Sequence, residues 1–195
     1  MKRLVALLRL AGVALLAGCT HVMSPPTTTF AGYGEQPKIA LRVALNITPE
    51  LRAAKWERKA MGDTWLIPMG DSLATNSEAL ARQVFAQVLV PTEPASAADV
   101  DAVITPQLAY INRTSGATSF GESIVAIKVE WNLSDRAGRP VWLETIGGQS
   151  SGSSGWTQPE KVIKAALEDM LTNSQHAFTT APAVRDYALR VKASQ

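Results

Sequence analysis

The chain of 195 residues holds a single cysteine, Cys19, in the stretch LLAGCT from Leu15 to Thr20. A thiol can serve as a nucleophile, a metal ligand, half of a disulfide or an attachment point. One cysteine cannot close an internal disulfide or fill a cysteine-rich metal site. A catalytic thiolate needs a base, and the only histidines are His21 and His176. Two histidines so far apart, without cysteine partners, do not make a zinc site. His176 reads as a residue near a helix end that interacts with the last carbonyls. Asp99 and Asp101, two apart before a strand, read as solvated or capping carboxylates in a loop. The sequence therefore implies no metal and no cofactor.

A second constellation is GQSSG, Gly148 to Gly152, which matches G-x-S-x-G literally. It would make Ser150 a nucleophile, with Glu168 or Asp169 and then His176 following in the chain order of a hydrolase. That motif requires a sharp strand-to-helix turn on a large parallel sheet. Ser150 lies instead in a run from Gly147 to Gly155 that is Gly and Ser apart from Gln149. The expectation is a flexible surface loop and a protein that is not an enzyme, with a serine hydrolase as the alternative. As a phosphate cradle the run lacks the required lysine at the helix start, since Lys161 comes after the cap. A weak anion site at that helix N-terminus stays open.

The residues before Cys19 define what must position it. Lys2 and Arg3 form a positive start, and Leu10 to Ala17 is a short apolar run, shortened by Arg9. This has the layout of an export signal, and it is far shorter than the roughly 20 residues a spanning helix needs. Leu16, Ala17, Gly18 and Cys19 resemble the lipobox of bacterial lipoproteins. The resemblance implies that diacylglycerol joins the Cys19 thiol and that a peptidase cuts between Gly18 and Cys19. The new amino group is then acylated, as with palmitate. Several acyl chains anchor stably where one chain binds only marginally. Thr20, in place of an aspartate, implies sorting to the periplasmic face of the outer membrane.

Cleavage also changes the charge. The whole chain is formally +2, with 19 basic and 17 acidic residues. Residues 1–18 carry Lys2, Arg3 and Arg9 and no acid, so 16 basic residues remain against 17 acidic ones. No electrostatic footprint for nucleic acid is left.

Residues 19–37, rich in Pro, Thr and Gly, read as a lipidated flexible tether. Thr20 to Pro37 would reach about 60 Å fully extended, at ~3.3 Å per residue. Residues 38–195 read as a single domain with one core. In KIALRVALNI, Ile39, Leu41, Val43, Leu45 and Ile47 alternate with smaller or polar residues, which predicts a strand. Thr48 and Pro49 predict a helix start, with Gly62 and Asp63 as its end. Thr64 to Ile67 reads as a short strand. A stripe through Leu73, Leu80, Val84 and Val88, flanked by Phe85 and Leu89, predicts a helix from about Asp71 to Leu89. Asp99 to Thr114 reads as a strand that Pro106 confines to an edge or a bulge. Val125 to Leu133 alternates strictly, and Asp135 with Gly138 supplies turn chemistry before VWLETIG returns. Thr157 and Glu160 form a capping box with Pro159 in the first turn. Val162, Ile163, Ala166, Leu167, Met170 and Leu171 are the buried stripe of the helix that follows. Pro182 opens a last short helix.

These elements imply an α+β two-layer sandwich. Three consecutive strands form a meander in a small, mainly antiparallel sheet. Two long helices cover one face, and a short helix closes the chain. Trp131 belongs to the core face. Trp142 and Trp156 are candidates for an exposed partner patch, with packing under the helices as the alternative.

The strand IALRVALNI, the helix GDSLATNSEALARQVFAQV, the strand DVDAVITPQL and the hairpin VEWNLSDRAGRPVWLETIGG resemble small envelope lipoproteins. The families are those of the YajG type, auxiliary lipoproteins of ABC transport systems, and the anticodon-binding-like domain of the curli-secretion lipoprotein. The resemblance covers Lys38 to Phe178 and carries over only Cys19. It implies a non-enzymatic binding or assembly module, accessory to transport or outer-membrane maintenance. It also implies an envelope protein as partner and a lipid or lipopolysaccharide as candidate cargo. A secretion-pore subunit is a further alternative, disfavoured because Thr114 to Glu122 is too short for a membrane hairpin. The oligomeric state stays open.

Overall fold

The computed structural model describes residues 19–25, 29–32, 34, 36–60, 63–90, 100–115, 122–153 and 159–194. The export-signal segment 1–18, Asp99, Trp156 and the capping residue Thr157 lie outside the described residues.

Strand β1 (Thr20–Val22) is followed by β2 (Ile39–Leu45) and a one-turn helix, α1 (Pro49–Arg52). Thr48 caps α1 as its sequence implies: its Oγ1 accepts the Leu51 N–H at 3.2 Å. The helix does not continue to Gly62. Lys55–Ala60 forms β3, paired antiparallel with β4 (Asp63–Pro68). KWERKA has no apolar stripe at helical spacing, but it has one buried side chain to place. Trp56 lies opposite Ile67, and both are buried.

Helix α2 (Gly70–Val84) buries Leu73, Leu80 and Val84. The expected continuation to Leu89 is instead a strand, β5 (Phe85–Leu89), parallel to β2. Phe85 and Val88 are buried as expected, but from a strand, because pairing with β2 supplies the backbone partners that another helical turn would have supplied.

The meander follows as β6 (Ala102–Ser115), β7 (Glu122–Asp135) and β8 (Pro140–Ser153), antiparallel throughout. Pro106 sits just beyond Ile104, where β6 stops pairing with β2, and a bulge follows between Leu108 and Tyr110. At the β7–β8 turn the Asp135 carboxylate accepts the N–H groups of Ala137 and Arg139, both at 2.9 Å, and Gly138 adopts φ +78°. Helix α3 (Pro159–Thr180) and helix α4 (Pro182–Ala193) complete the chain.

The fold is α+β, but it holds two sheets. One has five strands in the order β5-β2-β6-β7-β8, mixed because β2 runs parallel to both neighbours. The other has three strands, β1-β4-β3; the residue pattern announced its central strand, at Thr64 to Ile67, but not the sheet. Helix α2 packs on β5 and β2, α3 packs on β8 and β7, and the two helices touch. Helix α4 bridges β2, β8 and α3. All six residues of the stripe expected on α3 are buried. Phe178 is the hub, with ring centroids 5.6 Å from Phe85, 5.5 Å from Trp131 and 4.6 Å from Trp142.

The Gly/Ser run is not a flexible loop as far as Ser153. It is the second half of β8, and its small residues let α3 come close. A Cβ on Gly148 would stand 2.6 Å from the Ala166 carbonyl oxygen. Helix α3 also covers the free edge of β8. The Asp169 carboxylate accepts the Gln149 N–H and the Asn173 amide donates to the Gly147 carbonyl, both at 2.9 Å. Such cover keeps an edge strand from pairing with another chain.

Candidate functional site

Cys19 is exposed, and its thiol is in no disulfide. The segment that carries it is not a free tether. Strand β1 lies parallel on β4, with Thr20 beside Thr64, His21 beside Trp65 and Val22 beside Leu66. The Cys19 carbonyl accepts the Thr64 N–H at 2.9 Å, and the Cys19 N–H donates to Asp63 Oδ1 at 3.0 Å. An acylated amine keeps one N–H, so this second bond is compatible with lipid on the nitrogen. His21 stacks on Trp65 with centroids 4.4 Å apart and places Nε2 3.4 Å from Asp63 Oδ2. Farther along, Phe30 is buried in the core and its N–H donates to the buried Asn76 at 2.8 Å. In this structure the segment is thus bound to the domain at two places, beside β4 and at Asn76.

Val22 and Trp65 are exposed apolar side chains beside Cys19. Arg58 lies opposite Trp65 and Lys59 opposite Thr64. Neither forms an ion pair among the described residues, whereas Lys55 pairs with Glu57 at 3.0 Å. The end of the three-stranded sheet that holds Cys19 thus combines apolar groups on β1 and β4 with cationic groups on β3, the far strand.

A cleft of about 990 Å³ opens elsewhere, between the start of β2, the last turns of α3 and one face of α4. His176 lines it. The last carbonyls of α3 are served instead by Thr180, whose hydroxyl donates to the His176 carbonyl at 2.7 Å, and by Arg185, which donates to the Thr179 carbonyl at 2.8 Å.

Ser150 lies inside β8 opposite Val125, not at a strand-to-helix turn, and it does not line the cleft that holds His176. Asp169 is seven residues before His176 on the same helix, a separation of roughly 10 Å along the axis. Glu168 is farther still, and its carboxylate lies 3.7 Å from Lys164. The three groups a hydrolase would need are not brought together.

Asp101 is not a solvated loop carboxylate. It is 2% exposed and ties four segments together. Its oxygens accept the Arg42 N–H at 2.9 Å, Arg42 Nη2 at 3.0 Å and Arg136 Nη2 at 2.9 Å, while its carbonyl accepts the Tyr187 hydroxyl. Burial pushes the Asp101 carboxyl up, but the bonds from Arg42 and then Arg136 outweigh it and hold it below its usual value. Among the described residues no cluster of three or more His, Cys, Asp or Glu could hold a metal ion. Trp142 is half-buried against Phe178, which makes it packing rather than an open patch; its neighbour Leu143 is the exposed apolar residue of that strand.

The roles of Asp63, Trp65 and the cleft cations escaped the sequence reading. Asp63 and Trp65 share β4 but meet Cys19 and His21 only through pairing with β1, and the cleft cations are divided between the start of β2 and α4; only the i, i+3, i+4, i+7 spacing of Arg185, Ala188, Leu189 and Lys192 offered a signal.

No family model matches the chain, and no curated protein matches it. Among solved structures it is similar to a Xanthomonas campestris protein of the DUF330 family, with a TM-score of 0.52 and 13% identity. That match covers 90% of this chain and 100% of the other. A minor lipoprotein from Acinetobacter baumannii aligns with a TM-score of 0.40 and 12% identity over 80% of this chain and 91% of its own. The PelC dodecamer from Paraburkholderia phytofirmans aligns with a TM-score of 0.36 and 20% identity over 76% and 94%. The first of these likenesses shows a shared fold.

Proposed function

We propose that this chain is a lipid-anchored binding or assembly module on the periplasmic face of the bacterial outer membrane. It serves as an accessory subunit for transport or membrane maintenance and catalyses no reaction. The observation that carries the reading is the docking of Cys19. The residue a lipobox would acylate is exposed, and its backbone is bound into the edge of β4.

This geometry supports close apposition to the membrane rather than a long reach. Acyl chains on Cys19 would bring Val22 and Trp65 to the bilayer surface, where an amphipathic aromatic side chain is favoured. Arg58 and Lys59 would then meet anionic headgroups, at about 1 kcal/mol for each charge near the surface. The partner is an envelope protein recruited to a domain held at fixed height.

Mass spectrometry of the mature N-terminus tests the reading. The expected chain begins at Cys19 and carries diacylglycerol and an amide-linked acyl group. A bare Cys19, or a start at another residue, overturns it.

A further inference from the structure

The cleft between β2, α3 and α4 has an unusual division of labour. Its α3 wall is polar and uncharged, with Thr172, Asn173, Thr179 and Thr180 beside His176. Its α4 wall places Arg185, Ala188, Leu189 and Lys192 on one face. The start of β2 adds Lys38, Ile39 and Ala40. Three cations therefore line one opening, and among the described residues no aspartate or glutamate lines it.

None of these cations forms an ion pair with a carboxylate among the described residues. Arg185 spends its Nε on the Thr179 carbonyl, which restrains the guanidinium and leaves its terminal nitrogens without a hydrogen bond to the described residues. Guanidinium forks of this kind match phosphate oxygens. Leu189 stays 66% exposed between Arg185 and Lys192 along α4, an apolar group in a cleft that three cations line. Like charges gathered without a counter-ion repel, and an anion bound among them relieves that repulsion.

We infer that this cleft binds an anionic phospholipid. The headgroup phosphate sits among Lys38, Arg185 and Lys192, and the glycerol and upper acyl carbons lie along Ile39, Ala40, Ala188 and Leu189. A volume of about 990 Å³ is at the upper end for small-molecule sites, roughly 300–1,000 Å³, and suits a headgroup with the first part of its chains. The choice of a membrane phospholipid as the anionic amphiphile rests on the envelope location proposed above; the chemistry of the cleft does not.

The test is native mass spectrometry of the purified mature protein in a non-ionic detergent, titrated with phosphatidylglycerol. One phosphatidylglycerol per chain is expected, with weaker binding of phosphatidylcholine. Arg185→Gln with Lys192→Gln is expected to weaken binding by about tenfold or more, and Leu189→Asn to weaken it separately. Thermal midpoints report whether each variant is folded. Equal binding by wild type and the folded double variant overturns the inference. So does displacement by millimolar inorganic phosphate, which would make this a simple anion site, or stronger binding of an acidic peptide. The same spectra give the N-terminal mass. A chain without acyl groups that still binds phosphatidylglycerol would sink the anchoring proposal and leave this one standing.

Discussion

The Gly148 α-carbon lies so close to α3 that a Cβ there would stand 2.6 Å from the carbonyl oxygen of Ala166. Backbone cannot step aside as a flexible side chain can, so Gly148→Ala must push the helix off the sheet. The expected cost is about 3 kcal/mol or more, at or beyond the usual range for overpacking. Gly147→Ala is the control: its nearest atom is Lys128 Cγ at 3.3 Å, on a side chain that can move. Urea midpoints of the two variants should differ widely.

The buried Trp131 indole donates to Ser174 Oγ at 3.0 Å, and both residues are fully buried. Ser174→Ala leaves that N–H without a partner and is expected to cost about 1–3 kcal/mol. Combining it with Trp131→Phe removes both polar groups. The double variant should lose less than the sum of the singles, as a double-mutant cycle on denaturant midpoints will show.

Asp101 gives the fold an acid-sensitive latch. Its folded-state pKa lies below the ordinary value of 3.8 because Arg42 and Arg136 outweigh the effect of burial. Its contribution is therefore complete above 3.8 and is lost as pH falls through the lower folded value. Asp101→Asn should cost about 2 kcal/mol at neutral pH, the scale of hydrogen bonds to charged groups. It should also flatten the acid limb of the stability profile, measured by thermal melts from neutral pH downward.

Ser150→Ala tests the non-catalytic reading. Ser150 sits within β8, away from His176, so the variant should fold and support the envelope phenotype as wild type does. Loss of function in a folded Ser150→Ala protein would restore the hydrolase alternative.

Arg58 and Lys59 test the apposed membrane surface. In a chain with Cys19→Ser, which cannot take thiol-linked lipid, residual binding to phosphatidylglycerol vesicles is expected to fall by roughly tenfold or more with Arg58→Gln and Lys59→Gln. This follows from about 1 kcal/mol per charge at the surface. Vesicle sedimentation at low and high salt reads it, and binding unchanged by the substitutions removes this end of the sheet from the membrane.

The parts of the fold legible in the residues are those whose signal is local. Alternation in β2 and β7, the Thr48 cap, the Asp135 turn and the α3 stripe each depend on neighbours within a few positions, and each forms as its pattern implies. Strands β3 and β5 are different. KWERKA and FAQVL carry no decisive period, and each becomes a strand because β4 or β2 offers a ladder of hydrogen bonds. The Gly/Ser run reads as a loop by composition, yet as far as Ser153 it is a strand, whose missing side chains let α3 pack close.

The same division holds for function. By itself the sequence determined that Cys19 follows an apolar, positively led segment and that Lys2, Arg3 and Arg9 lie there without an acid. Only the tertiary structure decided that Cys19 is pinned to Asp63 and Thr64, that Asp101 is buried, and that Lys38, Arg185 and Lys192 share one opening. The reason is physical. Lys38 and Arg185 are separated by most of the chain, and no local period records that β2 and α4 will meet. Their proximity is set by sheet order and helix packing, which depend on the whole core.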